Sequence, residues 1–259
     1  MKTVRPPFTI DRTWWLALIA LAAVLAVFEA TRLDLWVQDH FYDFQAHAWL
    51  VDDEGFWGRV FFYKGPKILI IIFAIGLLVL ALGRTRWRKR LSRPPVRRRD
   101  LFVVVAVLAT APALIALGKA TTNVFFPSQI RRYGGFAPYV RTFEAYPQND
   151  RPAKPGRGFP AGHASGGFAL LSLAGLARTR RGRWLGLLMG LSVGTLMGGY
   201  QMLKGAHYLS HTLVTALVCW LVFLGWRRVL GANDDFAAML ETDPMKNRSI
   251  QSPAIHSQS

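Results

Sequence analysis

The stretch 67-KILIIIFAIGLLVLALG-83 is followed by 84-RTRWRKRLSRPPVRRR-99 and then by 101-LFVVVAVLATAPALIALG-118. The two flanking pieces are apolar for 17 and 18 residues, the first bearing only Lys67 and the second no charge at all. A bilayer core needs roughly 17–25 such residues in a helix, so each piece reads as a membrane span. The middle piece carries nine bases and no acid. Lys and Arg accumulate in cytoplasmic loops, so this connection is placed inside and the two spans run antiparallel away from it.

Working outward, four further runs suit a span: Trp14–Ala30, Ala161–Ala177, Trp184–Tyr200 and Leu209–Trp226. The fourth span in chain order, Ala161–Ala177, is the least apolar because it holds His163, Ser165 and several glycines, and the first ends in Glu29. Five spans follow the N-terminal run, so it is read as a span and not as a cleaved signal peptide. Arg178, Arg180, Arg181 and Arg183 mark another inner connection, as do Lys2, Arg5 and Arg12 before the first span and Arg227 and Arg228 after the last. The loop after the first span instead holds Asp34, Asp39, Asp43, Asp52, Asp53 and Glu54, which places it outside. The expected fold is therefore an all-α integral-membrane bundle of six transmembrane helices with both termini cytoplasmic. Residues 1–232 form the bundle, and 233–259, polar and ending in Ser, Gln and Pro, form a flexible cytoplasmic tail.

Composition agrees. Of 259 residues 52% are hydrophobic and 18% charged, too apolar for a chain surrounded by water. The net charge of +17 would suit nucleic acid, but the bases abut the spans, and no basic groove interleaved with aromatics accompanies them. The expected partner is the bilayer, and nucleic acid is excluded. The single cysteine, Cys219, rules out an internal disulfide and lies in an apolar run as an inert core thiol. No repeat of fixed period is present, which excludes a solenoid. Gly186, Gly190, Gly194 and Gly198 recur every fourth residue in the fifth span, a stripe that lets helices approach closely.

Ionisable groups at a membrane edge are costly and mark function by default. Lys119 ends the third span, His163 begins the fourth, and His207 and His211 begin the sixth, so topology brings all four to the outer end of the bundle. Singly, Lys119 could snorkel and a histidine could be a hydrogen-bonded packing residue. The run Gly158-Phe159-Pro160-Ala161-Gly162-His163 sets a histidine at a helix start, where free N–H groups and the positive dipole end suit a phosphate. Lys204-Gly205-Ala206-His207-Tyr208-Leu209-Ser210-His211 spaces two histidines by four, on one helical face.

These residues resemble the type 2 phosphatidic acid phosphatase superfamily, membrane lipid phosphatases related to vanadium haloperoxidases. Its motifs are K-x6-R-P, P-S-G-H and S-R-x5-H-x3-D. Here Lys119 precedes Phe126-Pro127; Pro160-Ala161-Gly162-His163 stands for the second; Tyr200 and Gln201 hold the Ser-Arg positions, with His207 and His211 at the His and Asp positions. Six of the eleven motif residues match, over roughly Leu101 to Trp226. The resemblance implies that His207 attacks phosphorus to give a phosphohistidine. It implies that His163 protonates the leaving lipid oxygen and later activates water, and that Lys119 and the amides near Gly162 stabilise the phosphoryl oxygens.

The departures are specific. Both motif arginines are absent, replaced by Phe126 and Gln201, and His211 stands for the carboxylate. Arg131, Arg132, Arg141, Arg157 and Lys204 on the outer loops are candidate replacement cations, Arg132 and Lys204 first among them because each is close in sequence to a motif element. The expected catalytic set is His207, His163 and His211. The expected substrate-binding set is Lys119, Gly162, Arg132, Lys204, Gln201 and Arg157. The family chemistry needs no metal and none is expected, nor any cofactor. The alternative is a three-nitrogen metal site of His163, His207 and His211, with Asp39, Asp43, Glu144 or Asp150 as acidic partners. The long outer loop Thr121–Phe159, rich in Gly, Pro and aromatics, is expected to be an ordered cap that selects headgroups, with a surface-lying interfacial loop as the alternative.

A site at the outer membrane–water boundary suits a lipid phosphate or diphosphate: phosphatidic acid, phosphatidylglycerol phosphate, a polyprenyl diphosphate or lipid A. The resemblance implies a lipid phosphatase or phosphotransferase of the bacterial inner membrane with a periplasmic active site. The second reading is a non-catalytic lipid-binding or lipid-translocating protein that kept the fold after losing the arginines.

Overall fold

The computed structural model describes residues 12–51, 58, 60–91 and 96–231. The expected tail over 233–259, the bases Lys2 and Arg5 and the acids Asp52, Asp53 and Glu54 lie outside the described residues. The protein is mostly helical, at 71%. Helices α1 (Arg12–Ala30) and α2 (Leu33–Asp39) precede a small antiparallel hairpin in which Tyr42 pairs with Trp49. A π-helical turn, Val60–Lys64, leads into α3 (Gly65–Leu82), followed by short α4 (Thr85–Leu91) and long α5 (Arg98–Thr121). After a long loop come α6 (Gly162–Ala169), α7 (Arg180–Leu203) and α8 (Leu209–Val229).

Among the described residues four helical segments are long and apolar enough to cross a membrane: Arg12–Ala30, Val60–Leu82, Arg98–Thr121 and Leu209–Val229. Ile68, Leu69, Ile72, Ile75, Val79 and Leu82 of α3 are exposed, as expected of a helix side that meets lipid. The two remaining expected spans differ from that pattern for different reasons. The fifth is a continuous helix of 24 residues, α7, but glycine and arginine dilute its apolarity. The fourth, expected over Ala161–Ala177, is an eight-residue α-helix continued by a 3-10 helix, Leu170–Gly175. At the second of these helices Ser172 Oγ donates to the carbonyl of Ala169 at 2.7 Å, the kind of local bond that competes with the regular ladder. Helix α6 packs against α5, α7 and α8, and Ala164, Ser165, Gly167, Phe168 and Ala169 are buried. A helix walled in by other helices does not need a lipid-facing apolar side, which explains the low hydropathy of this stretch.

The glycine stripe on α7 permits that enclosure. A Cβ on Gly186 would lie 2.6 Å from the backbone nitrogen of Ala174, and one on Gly190 would collide with that of Leu171. The core beneath the site joins Val104, Val107 and Ala111 of α5, Phe168 and Ala169 of α6, and Cys219 and Phe223 of α8. Cys219 is fully buried with its thiol toward the carbonyl of Ser165.

The loop between α5 and α6 carries its own small cluster and ion pairs. Tyr42, Phe125, Ile130, Tyr133, Ala137 and Tyr208 form a buried cluster. Arg131 pairs with Asp150 within the loop, and Arg132 reaches back to Asp39 on α2.

Candidate active site

Helix α6 begins beside the first turn of α8 because the two backbones are stitched together. The amide of Ala161 donates to the carbonyl of His211 at 3.3 Å, and Thr215 Oγ1 lies 2.8 Å from that carbonyl and 3.2 Å from the carbonyl of Ala161. The chain before α6 is fixed in turn to the end of α5. Gly156 N–H donates to Asn123 Oδ1 at 2.8 Å, Gly158 N–H to the carbonyl of Val124 at 2.6 Å, and Thr122 Oγ1 to the carbonyl of Phe159 at 2.5 Å. Cβ atoms at Gly156 and Gly158 would each come within 2.7 Å of Val124 backbone, so only glycine allows this approach.

The stitching lines up three imidazoles. His163 Nδ1 is 3.2 Å from His207 Nε2, and His207 Nδ1 is 3.4 Å from His211 Nδ1. The carbonyl of Gly158 hydrogen-bonds to both His207 and His211 and so helps fix their orientation. His207 and His211 are fully enclosed, whereas His163 is partly exposed at the mouth of the row. Burial, reinforced by the neighbouring His211, His163 and Lys119, holds the His207 imidazole well below its usual titration range. At neutral pH His207 is therefore uncharged, with a ring nitrogen lone pair available for attack.

Lys119, in the last turn of α5, comes to the same place. A Cβ on Gly162 would sit 3.7 Å from its Nζ, an ordinary contact distance, so the ammonium lies beside the start of α6 and that helix's free amides. Phe126 fills the position at which the resemblance places an arginine. Its ring centre is 5.3 Å from Lys119 Nζ and 5.5 Å from the His207 ring centre. The ring thus seats the ammonium by a cation–π contact and walls one side of the imidazole, but brings no charge.

The structure gathers His163, His207, His211, Lys119 and Gly162, whereas Arg132 is engaged by the cap. Arg132 forks onto Asp39, with Nε and Nη2 at 2.7 and 2.6 Å from its two oxygens, and Tyr133 donates to the same carboxylate at 2.8 Å. Burial opposes ionisation of Asp39, yet those hydrogen bonds and the guanidinium charge hold its carboxyl below the usual range. Lys204 lies with Nζ 5.7 Å over the Tyr200 ring. Arg157 is exposed next to the buried Gly158. Gln201 is completely buried at the end of α7, and neither polar atom of its side chain has a hydrogen-bond partner among the described residues.

The acids considered as metal partners hold the cap together instead: Asp39 on Arg132, Asp150 on Arg131, Asp43 on the amides of Gln45 and Ala46, and Glu144 on the amide of Arg141. Among the described residues no three potential ligands gather around one point. Sequence reasoning missed two contributors. The Gly158 carbonyl was signalled only by the glycines flanking Arg157. Asp34 appeared merely as one of six outer acids, yet it is buried against Ser210, one residue from His211.

Comparison with known proteins bears on the same region. The family model described as PAP2 superfamily matches residues 100–235, which contain all three histidines and Lys119. A curated protein named lipid A 4'-phosphatase, from Francisella tularensis subsp. novicida (strain U112), is 23% identical over 197 residues, covering 73% of this chain and 82% of that protein. No solved structure matches the chain at a significant level.

Proposed function

Because this chain belongs to the PAP2 superfamily, we propose that it removes phosphate from a phosphorylated membrane lipid at the outer face of a bacterial inner membrane. The observation that carries the reading is the 3.2 Å approach of His163 Nδ1 to His207 Nε2, beside Lys119. Two imidazoles brought this close can serve one phosphoryl group, His207 at phosphorus and His163 at its leaving oxygen.

In this mechanism His207 Nε2 attacks phosphorus, and the bond from phosphorus to the lipid oxygen breaks. His163, protonated at the start, gives its proton to that oxygen as it leaves. His163, now neutral, takes a proton from water, whose oxygen attacks the phosphohistidine. The nitrogen–phosphorus bond breaks, phosphate departs, and both histidines return to their starting states. Lys119 and the amides of the first turn of α6 stabilise charge on the phosphoryl oxygens, in a site where water is largely excluded. A phosphotransferase would differ only in that an acceptor hydroxyl replaces water in the second step.

Gln201 supports a bound polar group. A buried amide without partners is unfavourable by about 1–3 kcal/mol, and a phosphate oxygen accepting from its side chain would relieve that. Phosphatidic acid, phosphatidylglycerol phosphate, a polyprenyl diphosphate and lipid A all present a phosphate at the required depth. The relative's name favours lipid A as the first to test.

A second reading has its own observation. Phe126 and Gln201 remove both family arginines, and with them two bidentate phosphate donors, which favours a protein that binds or moves lipid without chemistry. Purified protein incubated with each lipid separates the two: phosphate released by the wild type and lost in His207→Ala supports the phosphatase. No release from any lipid, with binding retained, supports the second reading. Release that persists in His207→Ala removes that residue from the mechanism, and a parallel arm with a chelator tests for a metal requirement.

A further inference from the structure

The segment bearing His207 runs from the end of α7 to the start of α8, and short α2 grips it at both ends. Asp34 lies on α2 one helical turn before Gln38. Its Oδ1 accepts from the amide of Ser210 at 2.9 Å and its Oδ2 from the Ser210 hydroxyl at 2.5 Å. Gln38 Nε2 donates to the carbonyl of Met202 at 2.7 Å. Asp34 is 7% exposed and Gln38 fully buried. The next residue, Asp39, fastens the same helix to Arg132 and Tyr133 of the cap. Between the two anchors the chain turns at Gly205, whose positive φ and close packing on Trp49 leave no space for a side chain.

We propose that Asp34 is a positioning residue: acting with Gln38, it clamps the Met202–Ser210 loop so that His207 Nε2 is held toward the reacting phosphoryl group. The clamp rests on the phosphatase reading above for its purpose, but not for its geometry. It belongs to the segment between the first two spans, outside the region that the family model covers. Near-attack geometry is sensitive, and a displacement of about 1 Å can lower a rate by about 10²-fold. Loss of the clamp should therefore be read in kcat while substrate affinity stays with Lys119 and the α6 amides.

The test uses the full chain in detergent with [15N]histidine labelling, and measures kcat, KM and the imidazole NMR signals. Asp34→Ala is expected to lower kcat about tenfold or more with KM within about threefold, and to shift the His207 and His211 signals. Asp34→Asn keeps an acceptor for the Ser210 amide and a donor for its hydroxyl, and is expected to restore both readouts to near the wild-type values. Gln38→Ala should reproduce the Asp34→Ala pattern. Where Asp34→Ala does not fold, Ser210→Ala, which removes only the hydroxyl bond, should lower kcat about threefold with KM unchanged. A wild-type kcat with unmoved signals in Asp34→Ala, or in Ser210→Ala when that variant stands in, overturns the clamp, as does Asp34→Asn as damaged as Asp34→Ala. If the wild type releases no phosphate from any lipid while the NMR signals move and recover as described, the clamp stands and the phosphatase reading falls.

Discussion

His163 and His207, 44 residues apart in the chain, face each other through Nδ1 and Nε2 at 3.2 Å. A general acid so placed matters most when the leaving group is poor. His163→Ala is expected to lower kcat/KM, which reports the leaving-group step, by about 10²–10⁴-fold on a natural lipid phosphate. On an aryl phosphate, whose leaving oxygen needs no proton, the loss should shrink by at least about tenfold. Steady-state kinetics on the two substrates checks this, and equal losses would remove His163 from the acid role.

The cations near the site should separate by what they touch. Lys119→Met removes the ammonium beside Gly162 and is expected to raise KM and lower kcat together, with kcat/KM down about 10²-fold. Arg132→Gln, whose guanidinium is held by Asp39, should leave kcat/KM within about threefold. It should cost no more than about 1 kcal/mol of stability, because that ion pair is substantially exposed. Kinetics and thermal unfolding of the two variants decide the matter.

Close packing of α7 gives a pair of contrasting glycine substitutions. Gly190→Ala drives a methyl into the backbone of Leu171 and should destabilise by about 1–3 kcal/mol or prevent folding. Gly199→Ala meets nothing within 4 Å and should change stability by less than about 1 kcal/mol. Unfolding in detergent by heat measures both.

Burial pushes the Asp34 carboxyl up to about 6, although hydrogen bonds from Ser210 and Leu209 pull the other way. Its ordinary value is 3.8, so between pH 4 and 6 the folded chain holds a proton that the unfolded chain has released. The folded state then binds more protons, and this group's contribution to stability falls as pH rises through that window. Relative to Asp34→Asn, the wild type should be most stable near pH 4 and lose up to about 3 kcal/mol of that advantage by pH 7. Parallel melting curves across that range would show the trend, and a flat difference would contradict it.

Much of this was legible in the sequence for definite reasons. Uninterrupted apolar length and the arginine clusters identify spans such as the second, third and sixth, where lipid exposure imposes a one-dimensional pattern. The fourth stretch broke that pattern because α6 faces other helices, so its apolarity reports on neighbours the chain alone does not show. His163, His207, His211 and Lys119 were readable because topology alone brings span ends of one side together. Arg132 was not: its sequence proximity to Pro127 says nothing of Asp39, 93 residues away, which holds it. The Gly158 carbonyl escaped notice because a backbone acceptor has no residue type, and Asp34 because burial singles it out only once α2 and α8 are packed.

In the proposed mechanism His207 carries the phosphoryl group. The most direct measurement is acid-quench-free trapping of the enzyme during turnover of a lipid labelled in its phosphate, followed by peptide mapping. An acid-labile, base-stable phosphoryl group is expected on His207 of the wild type and is expected to be absent from His207→Ala. Label on any other residue, or turnover in the wild type with no phosphoenzyme under conditions that preserve phosphohistidine, would contradict it.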